Sequence, residues 1–496
     1  MDGHLSGNSR TAGGGHIVVL GGGIAGLAAA NRLLLAAPEV RVTLVEAEAR
    51  LGGKIMTESV DDFVIEGGPD SFLAAKPRGV ELSTEVGLKE RLQGVTPQRR
   101  RAFILSAGRL HELPEGLTGL VPTRLAPLAR SSLLSPAGKA RIALDYVIPA
   151  PRNADDESLG RFIRRRLGTE AWERLVEPLM AGIYAADGDQ LSLAATFPQL
   201  RDAERQHGGL IKGILATRRP EHVPGVALKP GFLTPAGGLS ELVSALEHRI
   251  RERGATVRTS IAAMTVLASG SDYQVRLIGG EEIQATGVIA AIPAHVAANL
   301  LAGLDPALAA DLAAIPHAST AIVTLAFRRD EIPHPLDGHG YVIPRCEGGP
   351  ILACTWSSRK WAGRAPDGWE IIRVFIGRSG REEILSADDD ALIALAHQEV
   401  AQRIGGTATP TLSRVHRWPL GMPQYVLGHP ERIARIKASL LAHPGIYLAG
   451  NAYHGVGLPD CIASGERAAD AAVVHACPEG IESTSIPLHD VSAAVP

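Results

Sequence analysis

Apolar positions along the chain fall into two recurring patterns: short uninterrupted runs, and longer stretches with helical spacing. The first run, Ile17-Val18-Val19-Leu20, is apolar on both faces, as a strand buried inside a parallel sheet must be. Glycines interrupt it from Gly21 to Gly26, and the Ala/Leu-rich stretch Leu27 to Leu35 then predicts a helix. Val40 to Val45 predicts the next strand. The same rhythm resumes after Gly231, with a helix from Gly237 to about Arg253, a short strand at Thr256-Val257-Arg258, and strands at Tyr273 to Leu277 and Val288 to Ala291. Gly445 to Asn451 predicts a last strand entering a glycine turn, followed by a helix over Ile462 to His475. From about Thr96 to Gln206 the pattern differs. Leu117 to Ile142 mixes Leu, Arg and Ser with scattered Pro, and Leu159 to Ala186 has helical spacing, which predicts a helical insertion. A further block, 318–416, carries β-like runs at Thr320 to Phe327, Ile351 to Trp356 and Ile371 to Ile376.

These patterns predict an α/β protein whose Rossmann-type domain is assembled from discontinuous segments. The expected pieces are 16–95, 225–300 and 415–476, with a helical insertion at 96–224 and an α+β substrate domain at 301–414. Residues 1–15 read as a disordered leader without an apolar core, and 477–496 as a flexible tail. Two uncharged runs, Thr11 to Asn31 and Ile283 to Leu304, are not membrane spans: the first is the glycine turn, and Pro293 breaks the second.

The opening strand, turn and helix carry specific chemistry. Gly21, Gly23 and Gly26 follow the strand directly, and Glu46 stands 20 residues past Gly26 at the end of the second strand. In a dinucleotide fingerprint the first glycine permits the tight turn, the second lets the backbone approach a pyrophosphate, and the third lets helix and strand pack closely. The helix N-terminus presents free N–H groups to the phosphates, and Glu46 is placed to accept hydrogen bonds from a ribose. Gly52-Gly53, between Arg50 and Lys54, reads as a second loop wrapping the pyrophosphate with one of those cations.

Composition narrows the field. A chain of 496 residues is expected to hold two or three domains. A net charge of −3 gives no electrostatic footing for nucleic acid. The four cysteines form no CxxC pair, so neither a metal site nor a disulfide framework is indicated, and a reducing cytosol is the expected compartment. The apolar and basic mixture of the helical insertion leaves open peripheral contact with the inner face of a membrane, against the commoner outcome of amphipathic helices packed on their own protein.

Five motifs carry a resemblance. They are Glu66-Gly67-Gly68-Pro69-Asp70-Ser71-Phe72-Leu73, Val176 to Ala185, Ala353-Cys354-Thr355-Trp356, Arg417 to Tyr425, and Gly455 to Ile462. From about Ile17 to Ala472 the chain resembles the FAD-dependent porphyrinogen oxidases of haem synthesis, within the amine-oxidase-like flavoproteins, and most nearly the bacterial coproporphyrinogen III / protoporphyrinogen IX type. The resemblance implies non-covalent FAD, held at Gly21, Gly22, Gly23, Ile24, Ala25, Gly26, Glu46, Ala47 and Lys54 on its ADP half. It places Glu66, Gly67, Gly68, Pro69 and Trp418 beside the flavin, Val456, Gly457 and Leu458 against the isoalloxazine and ribityl chain, and Ala263 at the adenine. Lys76 would pair with a substrate propionate, and the Gly182 carbonyl would approach the pyrrole nitrogens. No protein side chain is expected to act as acid, base or nucleophile, because the redox chemistry belongs to the cofactor.

The implied reaction takes six electrons from coproporphyrinogen III and gives three H2O2 from three O2. Protoporphyrinogen IX is the alternative substrate, and extra cations such as Arg78 or Arg99 near the pocket would favour the tetra-acid. Flavin amine oxidase is a more distant alternative, carotenoid desaturase a weaker one, and a non-catalytic flavin-binding scaffold the reading outside enzymes. With seven tyrosines and five tryptophans, the aromatic cage of an amine oxidase has few residues to draw on. Expected partners are the porphyrinogen, O2 and a ferrochelatase receiving the product, for a monomer or homodimer. His317, His416 and His454 read as packed or exposed histidines, and Cys461 as a structural thiol rather than a covalent flavin link.

Overall fold

The computed structural model describes residues 15–97, 101–118, 120–151, 155–217 and 231–477. β1 (His16–Leu20), α1 (Ile24–Ala36) and β2 (Arg41–Val45) come first, then the hairpin of β3 (Thr57–Val60) and β4 (Phe63–Glu66), and α2 (Pro77–Glu85). A second hairpin, β5 (Phe103–Ser106) and β6 (Arg109–Glu112), precedes a run of helices that includes α3 (Leu159–Leu167) and α4 (Glu177–Tyr184). The chain returns through α5 (Ser240–Glu252), β7 (Thr256–Arg258), β8 (Gly287–Ala290) and α6 (Ala294–Leu301). Five strands follow: β9 (His317–Arg328), β10 (Gly340–Val342), β11 (Ile351–Trp356), β12 (Trp369–Ile376) and β13 (Leu412–Pro423). α7 (His429–Leu441), β14 (Ile446–Leu448) and α8 (Leu458–Ala476) complete the chain.

β7, β2, β1, β8 and β14 form one parallel sheet in that order, so its strands come from three separated stretches. β1 is apolar throughout because both faces are covered. Ile17 and Val19 join the core with α1, α5 and α8, whereas Val18 and Leu20 join the one with α6, following the twofold period of a strand. Gly465 lets α8 lie directly on α1: a Cβ there would stand 2.0 Å from the Ala25 carbonyl oxygen.

The larger sheet runs β13-β9-β12-β11-β10-β5-β6 and is antiparallel except for β10 on β5. This corrects two expected boundaries. The hairpin β5–β6 lies inside the stretch read as a helical insertion, yet it completes the substrate-side sheet. β13 runs to Pro423, well inside the segment assigned to the nucleotide domain from residue 415. Sheet membership is decided by partners far away in sequence, which local periodicity does not encode. The helices from about Leu125 to Thr217 do form a block with its own core, around Phe162, Trp172, Leu175 and Met180. α8 begins four residues earlier than predicted, because Gly457 caps it and Pro459 suits its first turn. The leader before Gly15, the tail after Cys477 and Arg99 lie outside the described residues. Among those described, no helix is long and apolar enough to cross a membrane.

Candidate functional site

The fingerprint glycines divide into two roles. Gly21 sits at φ +102°, and a Cβ on Gly26 would fall 1.9 Å from its carbonyl oxygen, so both serve the turn and the helix–strand contact. Gly23 is different, with no atom within 4 Å of the position its Cβ would take. It caps α1 without any side-chain hydrogen bond, and the first turn holds no acid, so no side chain of the cap or first turn satisfies the terminal N–H groups. Gly52 donates its N–H to the Gly22 carbonyl at 2.8 Å, which draws the second glycine loop alongside, with Ile24 and Ala25 buried behind.

The two cations of that loop separate in function. Arg50 donates to the carbonyls of Leu51, Gly53 and Ile55, so its charge is used to shape the turn. Lys54 has no carboxylate partner among the described residues; its neighbours include Cys461, His295 and His317. Burial draws its ammonium below the ordinary lysine range. A half-buried cation without a counter-ion is costly, and a diphosphate against Gly23 would compensate it. Glu46 accepts from the Gly22 N–H at 2.6 Å and from the Glu48 N–H at 2.8 Å, which fixes its carboxylate beside the loop with lone pairs to spare. Ala47 is exposed next to it. The Ile261 N–H donates to the Glu46 carbonyl, and Ala263, two residues on, opens an antiparallel strand opposite Leu277. This chain of features fits a dinucleotide.

Further along, Glu66 to Pro69 leave β4 as a turn held by buried charge. The Glu66 carboxylate accepts from Thr57 Oγ1 at 2.7 Å and the Leu239 N–H at 2.8 Å, with Arg364 at 3.6 Å. Its pKa is raised by burial. That side chain is spent on structure, so any lining of a ligand falls to the backbone of Gly67, Gly68 and the half-buried Pro69. Arg373, fully buried on β12, donates to the Gly68 carbonyl and stands 3.6 Å from Asp70. Asp70 also accepts from Lys360 Nζ at 2.9 Å and Trp361 Nε1 at 3.1 Å, and the charges of Lys360 and Arg373 hold its carboxyl far below the usual range despite burial. Trp418, half-buried on β13, donates its indole N–H to the Gly67 carbonyl at 2.8 Å, and the His416 ring packs where a Gly67 Cβ would be.

Val456-Gly457-Leu458 approaches from the other side. Val456 packs against the helical block and Leu458 against the nucleotide core, so the strap spans two domains. Cys461 follows in the first turn of α8, and burial pushes its thiol up to about 12, which keeps it protonated and unreactive. Gly182 lies exposed near the end of α4, its closest neighbour Val342 of β10 at 3.9 Å from a notional Cβ. Lys76 does not stand free: its ammonium is held by both oxygens of Asp460, at 2.6 and 2.7 Å. Arg78 is likewise committed, to Glu466, Glu81 and Glu85. Neither partner was foreseen, because each lies more than 380 positions away from its cation.

Sequence reasoning also missed Arg373 and Tyr425. An arginine inside the apolar run Ile371 to Ile376 was a usable signal, since a charge in a buried strand needs partners. Tyr425 closes the motif Arg417 to Tyr425, but nothing in that motif shows what its hydroxyl meets.

A parallel nucleotide sheet built from separated segments and carrying a glycine cradle with a half-buried cation, beside a large antiparallel sheet, is the architecture of a flavoprotein. The chain belongs to the flavin-containing amine oxidoreductase family, whose model matches residues 24–473, and its cofactor is FAD. Among curated relatives it is 38% identical over 467 residues to the coproporphyrinogen III oxidase of Bacillus subtilis (strain 168), covering 93% of this chain and 98% of that one. Protoporphyrinogen oxidase 1 of Arabidopsis thaliana chloroplasts is 30% identical, with 92% and 88% covered. A crystal structure from Exiguobacterium sp. 255-15, provisionally named a protoporphyrinogen oxidase, superposes with a TM-score of 0.82 at 35% identity, over 93% of this chain and 99% of that one.

Proposed function

We propose that this chain oxidises coproporphyrinogen III to coproporphyrin III, with O2 as the final acceptor and H2O2 as the second product. The observation that carries the reading is the 38% identity to the Bacillus subtilis coproporphyrinogen III oxidase over nearly both whole chains. FAD supplies the two-electron acceptor and its reoxidation by O2. The protein's share is binding and placement. Gly23, the α1 N-terminus and Lys54 hold the diphosphate, and Glu46 the ribose. Ala263 meets the adenine, the Gly67–Pro69 backbone and Trp418 flank the flavin, and Val456 to Leu458 lie against it. Gly182 faces the macrocycle. Lys76 reaches a propionate only by leaving Asp460, so the ion pair is the resting state of that subsite.

Protoporphyrinogen IX is the second reading, favoured by the Exiguobacterium structure and the chloroplast relatives. Purified protein is given each porphyrinogen anaerobically and then admitted to air, following porphyrin fluorescence and peroxide together. The proposal expects both signals with both substrates and a higher kcat/KM for coproporphyrinogen III. Bound FAD with no porphyrin from either substrate rejects the reading in favour of an amine oxidase or a scaffold. Cytosolic placement and hand-over to a ferrochelatase belong to the same proposal. So does peripheral membrane contact through exposed Leu144, Val147 and Leu215 beside Lys212; co-sedimentation with anionic vesicles tests it.

A further inference from the structure

The segment between β14 and α8, Gly450 to Gly457, is the strap on which the flavin end of the site depends. Two of its glycines lie in left-handed backbone, Gly450 at φ +121° and Gly455 at φ +117°, so the loop has no regular ladder to hold it. Side chains hold it instead. The Gly450 N–H donates to Ser464 Oγ at 3.1 Å, and the Gly457 N–H to Asp460 Oδ2 at 3.3 Å. Both acceptors sit on α8, the helix the loop runs into, so they fix the loop only relative to its own continuation.

Tyr425 comes from elsewhere. Its hydroxyl donates to the Asn451 carbonyl at 2.7 Å and accepts from the Gly455 N–H at 2.8 Å, bracketing the loop with one oxygen atom. Only a neutral phenol can donate and accept at once. Burial holds Tyr425 neutral far above its ordinary range. The ring is fully buried and stacked on His429, with centroids 4.1 Å apart and planes 10° from parallel. Its backbone is pinned as well. Ser192 of the helical block donates its N–H to the Tyr425 carbonyl at 2.8 Å, and the neighbouring Gln424 N–H donates to Pro316, just before β9, at 2.8 Å. The residue therefore takes its position from the helical block and the large sheet, and passes it to the glycine strap.

We infer that Tyr425 is a positioning residue for the flavin: its hydroxyl sets where Val456-Gly457-Leu458 lies, and so how the isoalloxazine is seated between the domains. This rests on the proposed FAD site. Tyr425→Phe keeps the stacked ring and removes both hydrogen bonds. Tyr273→Phe is the control, because Tyr273 is also a buried tyrosine and donates its hydroxyl to the Pro444 carbonyl at 2.9 Å, outside the strap.

Four readings are taken on each protein: Tm, the FAD dissociation constant, the reduction potential of the bound flavin, and hydrogen exchange of the Gly455 amide in the FAD-free form. The expected result is a similar small fall in Tm for both variants. Tyr425→Phe alone raises the FAD Kd about tenfold or more, moves the potential, and speeds Gly455 exchange about tenfold. Wild-type Kd, potential and Gly455 exchange in Tyr425→Phe overturn the inference while leaving the FAD site standing. A wild-type protein that binds no FAD overturns both. The exchange reading is independent of cofactor, so a variant that merely loses FAD through general unfolding is recognised by faster exchange throughout the chain, which also counts against the inference.

Discussion

Single residues divide by whether the protein or the ligand uses their space. Gly465 and Gly26 are needed by the protein, since a Cβ at either would run into backbone at 2.0 and 1.9 Å. Gly23 meets no atom of the protein where its Cβ would stand, so in the proposed FAD site that space is the ligand's. Gly465→Ala is accordingly expected to cost about 3 kcal/mol of unfolding free energy by denaturant titration, the upper end of ordinary overpacking, because backbone cannot repack. Gly23→Ala should leave the Tm of the FAD-free protein unchanged and weaken FAD binding at least tenfold in a fluorescence titration. Lys54 makes the complementary case. Lys54→Met removes a half-buried cation without a carboxylate partner, so the FAD-free protein should gain about 1 kcal/mol while its FAD Kd rises. A loss of stability without FAD would show that Lys54 is paired in the fold, against the geometry. In the wild type, stability contributed through Lys54 rises as pH climbs from its depressed folded pKa towards 10.5, where the unfolded chain holds the extra proton.

At the scale of elements, the turn after β4 is fastened to β12 by charge rather than by apolar packing. Arg373 reaches the Gly68 carbonyl and Asp70 from the apolar run Ile371 to Ile376 of that strand. Arg373→Met should therefore destabilise the protein by about 3–5 kcal/mol, the usual consequence of leaving a buried partner uncompensated, with Lys360 moderating the loss. The same variant should loosen the Gly67–Pro69 turn and weaken FAD binding, which a Kd measured below the unfolding transition will report. Elements were the best-read level of the sequence. β1, α1, β2, α5 and β9 stand where periodicity placed them, because each buries a continuous apolar face. The hairpin β5–β6 was not read, since eight short strand residues within a helix-rich stretch carry little periodicity of their own.

Over the whole molecule, buried and half-buried histidines give stability a pH dependence. His317 and His429 are both lowered to about 4 from an ordinary 6.5, chiefly by burial. Their unfolded forms bind protons first, so their contribution is intact above pH 6.5 and is lost as pH falls towards 4. For His429, almost fully buried, that loss amounts to at most about 3 kcal/mol. Glu66 and Glu177, raised by burial, act in the opposite sense above pH 4.5 and make the net slope shallower. A Tm series from pH 7.5 to 4.5 should fall with acidification, and His429→Gln should flatten it; an unchanged slope in that variant refutes the assignment to His429.

The sequence by itself determined the nucleotide half, the family and the identity of the cradle glycines, because strand, turn, helix and acid lie within 31 consecutive residues and their chemistry is local. It also carried the motif residues assigned to the proposed site. What only the tertiary structure decided were the partnerships across long separations: Lys76 with Asp460, Arg78 with Glu466, Arg373 with Gly68, and Tyr425 with Asn451 and Gly455. It also decided which strands share the large sheet. The physical reason is the same throughout. Burying a charge or hydroxyl requires a partner, but any residue the fold brings near can be that partner, and folding rather than spacing selects it.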